Sequence, residues 1–319
     1  MQRLLFLFLI GLTACSVRPN LQNDTSMESW QYPYPVKEIS ISDGISIAYI
    51  DEGPRRTRNE QAVLLFVHGL GSNLQAWNKN IEAFRNDYRC IAVDLPGYGK
   101  SSQGDYPFSM DFFAQSLAEF VQKLELKSVI LVGHSMGGQI STNMAINDLV
   151  PLEKLVLVAP AGFETFSAEE AAWFSAVLTP AVVQATTEEQ IVRNFELNFA
   201  AMPDDARFMI EDRMTLRASD AYQAYCEMIP KCVQGMLAAP VFERLNEIEE
   251  ETLVLFGSLD QLIPNRILHP SLSVSEVAQS GVEQLPNARL KLLPEAGHFV
   301  QWEAADALNE SILGFIHDN

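Results

Sequence analysis

A mainly parallel α/β sheet covered by helices on both faces is the fold this sequence predicts, and three observations predict it. Strand-like apolar runs alternate with stretches of helical spacing along most of the 319 residues, the pattern of strand–helix–strand units. The runs Ala62–Val67, Tyr88–Val93, Ser128–Val132, Lys154–Val158 and Thr252–Phe256 are near-continuous in apolar character, as strands buried on both faces are. Each of the first three ends in a Gly-containing loop, and in such sheets the loops past the carboxyl ends of strands converge on one rim.

The chain opens Met1-Gln2-Arg3 and is almost wholly apolar from Leu4 to Leu12. That run is too short to span a bilayer and suits the core of an export signal behind a basic residue. Leu12-Thr13-Ala14-Cys15 follows and resembles the lipobox of bacterial lipoproteins. The resemblance implies cleavage after Ala14, lipidation of Cys15 and, with Ser16 rather than Asp next, sorting to the outer membrane. The alternative is an ordinary cleaved signal with a chance Cys. Residues 15–35, polar and Pro-containing, read as a tether. A net charge of −19 argues against nucleic acid as a partner; its simplest meaning is a soluble, non-sticking surface.

Lys37–Ser42 and Ile45–Ile50 alternate apolar and polar residues around Asp43-Gly44, the signature of an antiparallel edge hairpin. Ala62–Val67 is the first buried strand and Leu74–Phe84 has helical spacing. Tyr88–Val93 is the next strand, and Met110–Leu124 is an amphipathic helix with Phe113, Leu117, Phe120, Val121 and Leu124 on one face. Between Gly162 and Val241 the alternation stops. That segment shows helical patterns only and is rich in aromatics and Met, among them Trp173, Phe174, Met228 and Met236. It reads as a helical insertion over residues 162–241, with some side chains lining an apolar pocket beneath it. The α/β pattern resumes with Thr252–Phe256 and Ala288–Leu293, and a closing helix runs to about Ile316.

The chemistry centres on Gly133-His134-Ser135-Met136-Gly137. Gly-x-Ser-x-Gly occurs by accident in roughly one chain in ten of this length, so context decides. Here a buried strand precedes it and a helix-compatible run follows, which exposes the Ser hydroxyl on a sharp turn. A Ser hydroxyl needs a base, normally His, which a carboxylate orients. Asp260 and His298 each follow a predicted strand, in the chain order Ser, Asp, His. Among competitors, His68 sits in the loop expected to hold an oxyanion, His134 adjoins Ser135, and His269 and His317 read as surface residues. Asp94 reads as stabilising its own Pro/Gly-rich turn. The N–H of Met136, after the nucleophile, and that of Leu70, between Gly69 and Gly71, are the expected oxyanion donors. Cys90 reads as a buried thiol. Cys226 and Cys232 are either a disulfide or two unrelated thiols. No Cys/His cluster has metal-ligand spacing, and no cofactor is implied.

Taken together, His68-Gly69-Leu70-Gly71, Asp94-Leu95-Pro96-Gly97-Tyr98-Gly99-Lys100-Ser101, Gly133 to Gly138, Gly257-Ser258-Leu259-Asp260 and Gly297-His298-Phe299 resemble the α/β-hydrolase superfamily, and within it bacterial lipases and carboxylesterases with a helical cap. The resemblance implies an α/β-hydrolase core over 36–161 and 242–319, a helical cap over 162–241 and no cofactor. It further implies a serine hydrolase for small-molecule or lipid-like esters, held to the membrane by its N-terminal lipid. Superfamily dehalogenases and epoxide hydrolases carry Asp at the elbow, so Ser135 argues against both. A C–C bond hydrolase or a perhydrolase would use the same residues. An inert envelope-anchored binding protein would be marked by a lost Ser, Asp or His, and none is missing.

Overall fold

The computed structural model describes residues 30–54 and 62–318. Cys15, the 1–14 signal and most of the expected tether lie outside the described residues. The strands form one eight-stranded sheet in the order β1-β2-β4-β3-β5-β6-β7-β8. β1 (Lys37–Ser40) and β2 (Ser46–Glu52) are the antiparallel edge hairpin, and β2 also pairs antiparallel with β4. Their connection is a 3-10 turn, Ser42–Gly44, in which Asp43 and Gly44 both take positive φ. The remaining strands, β3 (Val63–Val67), β4 (Cys90–Val93), β5 (Val129–His134), β6 (Leu152–Val158), β7 (Thr252–Gly257) and β8 (Ala288–Leu293), run parallel.

Successive residues of a strand point to opposite faces, and two separate cores result. Leu65, Val67, Val254 and Phe256 pack into one core with Phe113, Leu117 and Phe120 of α2 (Met110–Lys123) and Ile140 of α3 (Met136–Ile146). Leu64, Phe66, Leu253 and Leu255 pack into the other with Trp77, Ile81 and Phe84 near α1 (Asn78–Phe84), and with Leu308, Ile312 and Phe315 of α11 (Ala305–His317). Of the face expected on α2, Leu124 is only half-buried. The closing helix is broken: α10 (Val300–Glu303) precedes α11, with non-helical Ala304 between them.

Between β6 and β7 the chain is helical: α4 (Ala168–Val177), α5 (Pro180–Ala185), α6 (Glu188–Glu196), α7 (Phe208–Arg217) and α8 (Tyr222–Ala238), with two short 3-10 turns. Three of these helices start on Ser or Thr caps, Ser167, Thr179 and Thr187, each accepting a backbone N–H of the first turn. α9 (Val274–Gln284) then packs beside β7 and β8.

The structure decides one pair of alternatives and corrects one expectation. Cys226 and Cys232 are both free, buried thiols on α8. Six residues along a helix rise about 9 Å, beyond the Cα separation a disulfide accepts. Burial raises both thiol pKa values, that of Cys232 to about 12, and Cys232 Sγ accepts a hydrogen bond from Tyr98. The tether is also shorter than 15–35. Trp30 is buried, Tyr32 donates to Asp94 at 2.9 Å and Tyr34 donates to Glu82 at 2.7 Å, so the chain is already seated on the domain there.

Candidate active site

Ser135 stands between β5 and α3 with φ +53° and ψ −119°, a conformation L-residues avoid unless the surroundings impose it. The surroundings do impose it. Ser135 N–H donates to Val158 C=O, and its own carbonyl accepts from Gln139 and Ala161. A Cβ at Gly133 would lie 2.4 Å from the Gly137 carbonyl oxygen, and one at Gly137 would lie 2.4 Å from that of Val67. Both glycines are therefore fixed by backbone contact.

His298 and Asp260 meet at the same rim. His298 Nδ1 donates to Asp260 Oδ2 at 2.7 Å, and both side chains are buried. The other carboxylate oxygen, Oδ1, accepts the N–H groups of Leu262 (2.8 Å) and Ile263 (3.0 Å). Arg266 donates to the Asp260 carbonyl at 2.7 Å. His298 and Ser135 line one cavity of about 310 Å³ together with Leu70, Gln139, Glu164, Met236 and Ile263. Among the described residues the Ser135 hydroxyl has no hydrogen bond to the imidazole; such bonds are often long in unliganded sites and tighten with substrate. The N–H of Met136 opens α3, where no helical acceptor exists. The N–H of Leu70 likewise has no acceptor among the described residues.

The competing residues have other work. His68 donates through Nδ1 to the Gly69 carbonyl and accepts the Leu95 N–H at Nε2, so it ties the Leu70 loop to the loop after β4. Burial pushes its pKa down from 6.5 to about 4. His134 donates through Nε2 to the His298 carbonyl at 3.0 Å, and its ring lies 4.8 Å from that of His298. Burial, then the nearby imidazole, lowers its pKa well below the usual range. Asp94 accepts N–H groups from Leu74 and Lys100, which makes it the brace of its own loop. Burial raises its pKa to about 6 against those bonds, and a Cβ at Gly99 would fall 2.1 Å from its Oδ2.

The pKa of His68 predicts a pH effect. A buried His with a depressed pKa contributes stability above its unfolded value near 6.5, lost as pH falls toward 4. The stability gap between wild-type protein and His68→Gln is therefore expected to shrink by about 2 kcal/mol from pH 7 to pH 4.5. Urea unfolding at the two pH values reads it; a constant gap refutes it.

Sequence reasoning missed several supports. Glu303 accepts the N–H groups of Gly297, Ala200 and Ala201, so it staples the His298 loop to the helical segment. Arg213 of α7 donates to the Gly71 carbonyl, and its guanidinium lies over the rings of Phe195 (5.3 Å) and Tyr225 (4.4 Å). His269 is not a free surface residue: it bridges Glu164 (2.5 Å) and Glu170 (3.0 Å) and stacks on Phe166. A Glu-x-x-x-x-x-Glu spacing with a His about 100 residues on carries no sequence signal. Only the fold brings the three together.

A parallel sheet with a strained Ser at a strand–helix turn, and a carboxylate–imidazole pair on the same cavity, defines the class of α/β hydrolases. The chain belongs to it: the family described as alpha/beta hydrolase fold matches residues 62–305. Similar proteins include a dihydrolipoyllysine-residue acetyltransferase component of the acetoin cleaving system of Cupriavidus necator, 27% identical over 272 residues, 84% of this chain. The chain spans 65% of that relative's length and 63% of a second such component from Pseudomonas putida. A 2-hydroxy-6-oxononadienedioate/2-hydroxy-6-oxononatrienedioate hydrolase of Burkholderia vietnamiensis is 29% identical over 86% of this chain and 93% of its own. A pimeloyl-[acyl-carrier protein] methyl ester esterase of Vibrio atlanticus is 29% identical over 79% and 93%. The fold matches a probable hydrolytic enzyme of Pseudomonas aeruginosa PAO1 with TM-score 0.78 and 22% identity, over 91% of this chain and 96% of that one.

Proposed function

We propose that this hydrolase is a serine esterase acting on carboxylic esters through an acyl-enzyme. The observation that carries the reading is the 2.7 Å bond from His298 to Asp260 beside the cavity that also holds Ser135. Ser135 Oγ attacks the ester carbonyl as His298 Nε2 takes its proton, and the imidazolium then protonates the leaving alcohol. Asp260 holds Nδ1–H, which leaves Nε2 free to act as base. The N–H groups of Leu70 and Met136 receive the oxyanion, each worth about 3–4 kcal/mol if well aimed. Water activated by His298 releases the acid.

The similarity to a C–C bond hydrolase for a dienedioate makes that the second reading. It is disfavoured by the cavity. Among its lining residues there is no Lys or Arg to meet a dicarboxylate, and Glu164 adds a negative charge. The lining is largely apolar, with Phe166, Phe174, Val233, Met236, Leu237 and Pro240, which supports a neutral acyl ester. Covalent labelling by a fluorophosphonate, followed by an ester panel run beside a dienedioate, tests the choice. Labelling with ester turnover supports the esterase, and faster turnover of the dienedioate overturns it.

We also propose, from the Cys15 lipobox alone, that the enzyme is lipid-anchored in a bacterial envelope, at the outer membrane. Cys15→Ala is expected to move it from the membrane fraction to the soluble one; unchanged membrane retention refutes the anchor.

A further inference from the structure

One carboxylate in the cavity is not used by the mechanism above. Glu164 follows β6, lines the cavity, and its side chain is only 5% exposed. Its Oε1 accepts the Asn265 N–H at 2.8 Å and meets His269 Nδ1. His269 does not line the cavity; it is held from its far nitrogen by Glu170. Two donors on one oxygen fix the side chain, and Oε2 has no partner among the described residues. Nor is Oε2 among the fully enclosed polar atoms left unpaired, so it keeps accessible surface.

Three other polar side chains of the wall already hold hydrogen bonds within the protein. Gln139 gives both amide hydrogens to the carbonyls of Met236 and Ala239. Asn198 donates to Asn194 C=O, and Asn265 accepts the N–H groups of Ile267 and Leu268. Glu164 therefore brings to a largely apolar cavity a carboxyl whose Oε2 has no hydrogen-bond partner among the described residues. Leaving a charged acceptor unpaired when substrate displaces water is costly, so a site of this kind rejects ligands that bring no donor.

We propose that Glu164 is a specificity subsite, selecting esters whose acyl or alcohol part carries a hydrogen-bond donor, a hydroxyl or an ammonium, and excluding those carrying a carboxylate. The subsite rests on the esterase reading and names its substrate class. It also explains the clamp: His269, held from behind by Glu170, meets the buried carboxyl, whose pKa burial raises, without filling the cavity. Burial works to lower the His269 pKa, but the two carboxylates outweigh it and raise it. A donor from substrate would complete the set.

The test is a ratio measured within one protein. Hydrolysis of methyl 6-hydroxyhexanoate is compared with methyl heptanoate, 2-hydroxyethyl hexanoate with propyl hexanoate, and monomethyl suberate with methyl heptanoate. For wild-type enzyme, kcat/KM is expected to favour one hydroxylated ester over its isostere by about tenfold or more, and to disfavour the suberate by about as much. Glu164→Gln can keep the Asn265 bond through its amide oxygen while losing the charge, so the suberate penalty should fall at least tenfold. Glu164→Met should bring the hydroxyl preference to within about twofold. Fluorophosphonate labelling of each variant shows that its elbow is folded. Ratios within twofold for all three pairs in wild type, or ratios that survive in labelled variants, overturn the subsite. Should a variant not fold, the wild-type ratios decide alone. Wild type that hydrolyses plain esters with flat ratios sinks the subsite and spares the esterase reading; absence of both labelling and turnover sinks the two together.

Discussion

Ser135→Ala is expected to lower kcat/KM for a simple ester by about ten-thousand- to million-fold, and to abolish fluorophosphonate labelling. The loss should appear in kcat, because the hydroxyl forms the covalent intermediate and contributes little to ground-state binding. Stability should hardly change. Among the described residues the Ser135 side chain makes no hydrogen bond that Ala would forfeit, and both residues carry the same Cβ at φ +53°. Equal Tm with lost turnover therefore separates chemistry from folding. Turnover above about one per cent of wild type, in protein purified free of wild-type enzyme, would remove Ser135 from the mechanism.

What the sequence showed and what it hid divide along physical lines. Buried parallel strands must be apolar on both faces, so β3, β5, β6 and β7 could be read from composition alone. The turn after β5 announced itself because close backbone approach demands glycine at 133 and 137. Their positions just past predicted strands put Asp260 and His298 at one rim, and there they bond. Contacts made by surface-type residues across long separations were hidden. Glu303 binding Ala200, Arg213 binding Gly71 and His269 joining Glu164 to Glu170 are ordinary polar residues in sequence. Their partners lie about 100 or more residues away for most of these pairs, and no periodicity marks them. Whether Cys226 and Cys232 pair stayed open for a related reason: nearness in sequence does not set nearness of side chains, and on a helix these two stand too far apart. Trp30, Tyr32 and Tyr34 looked like part of a polar tether, yet each has a seat on the domain.

The second large effect concerns Asp260, where the choice of substitution decides what is learned. Asp260→Ala would leave the Leu262 and Ile263 N–H groups without their acceptor, at about 1–3 kcal/mol each if they stay buried. Loss of activity there could reflect a collapsed loop. Asp260→Asn avoids this. The amide oxygen can stay on those two N–H groups, which turns the NH2 toward His298 Nδ1, now 2.7 Å from a carboxylate oxygen. Nδ1 must then accept rather than donate, so the neutral imidazole carries its proton on Nε2 and cannot take one from Ser135. A fall in kcat/KM of about ten-thousand-fold is expected, with Tm close to wild type and fluorophosphonate labelling slowed in parallel. The carboxylate that could substitute is not free to do so: Asp94 is fixed by Leu74 and Lys100 on another loop. An Asn variant within tenfold of wild type would mean that the tautomer of His298 is set by some other group, and Asp260 would then be a brace for the 262–263 turn.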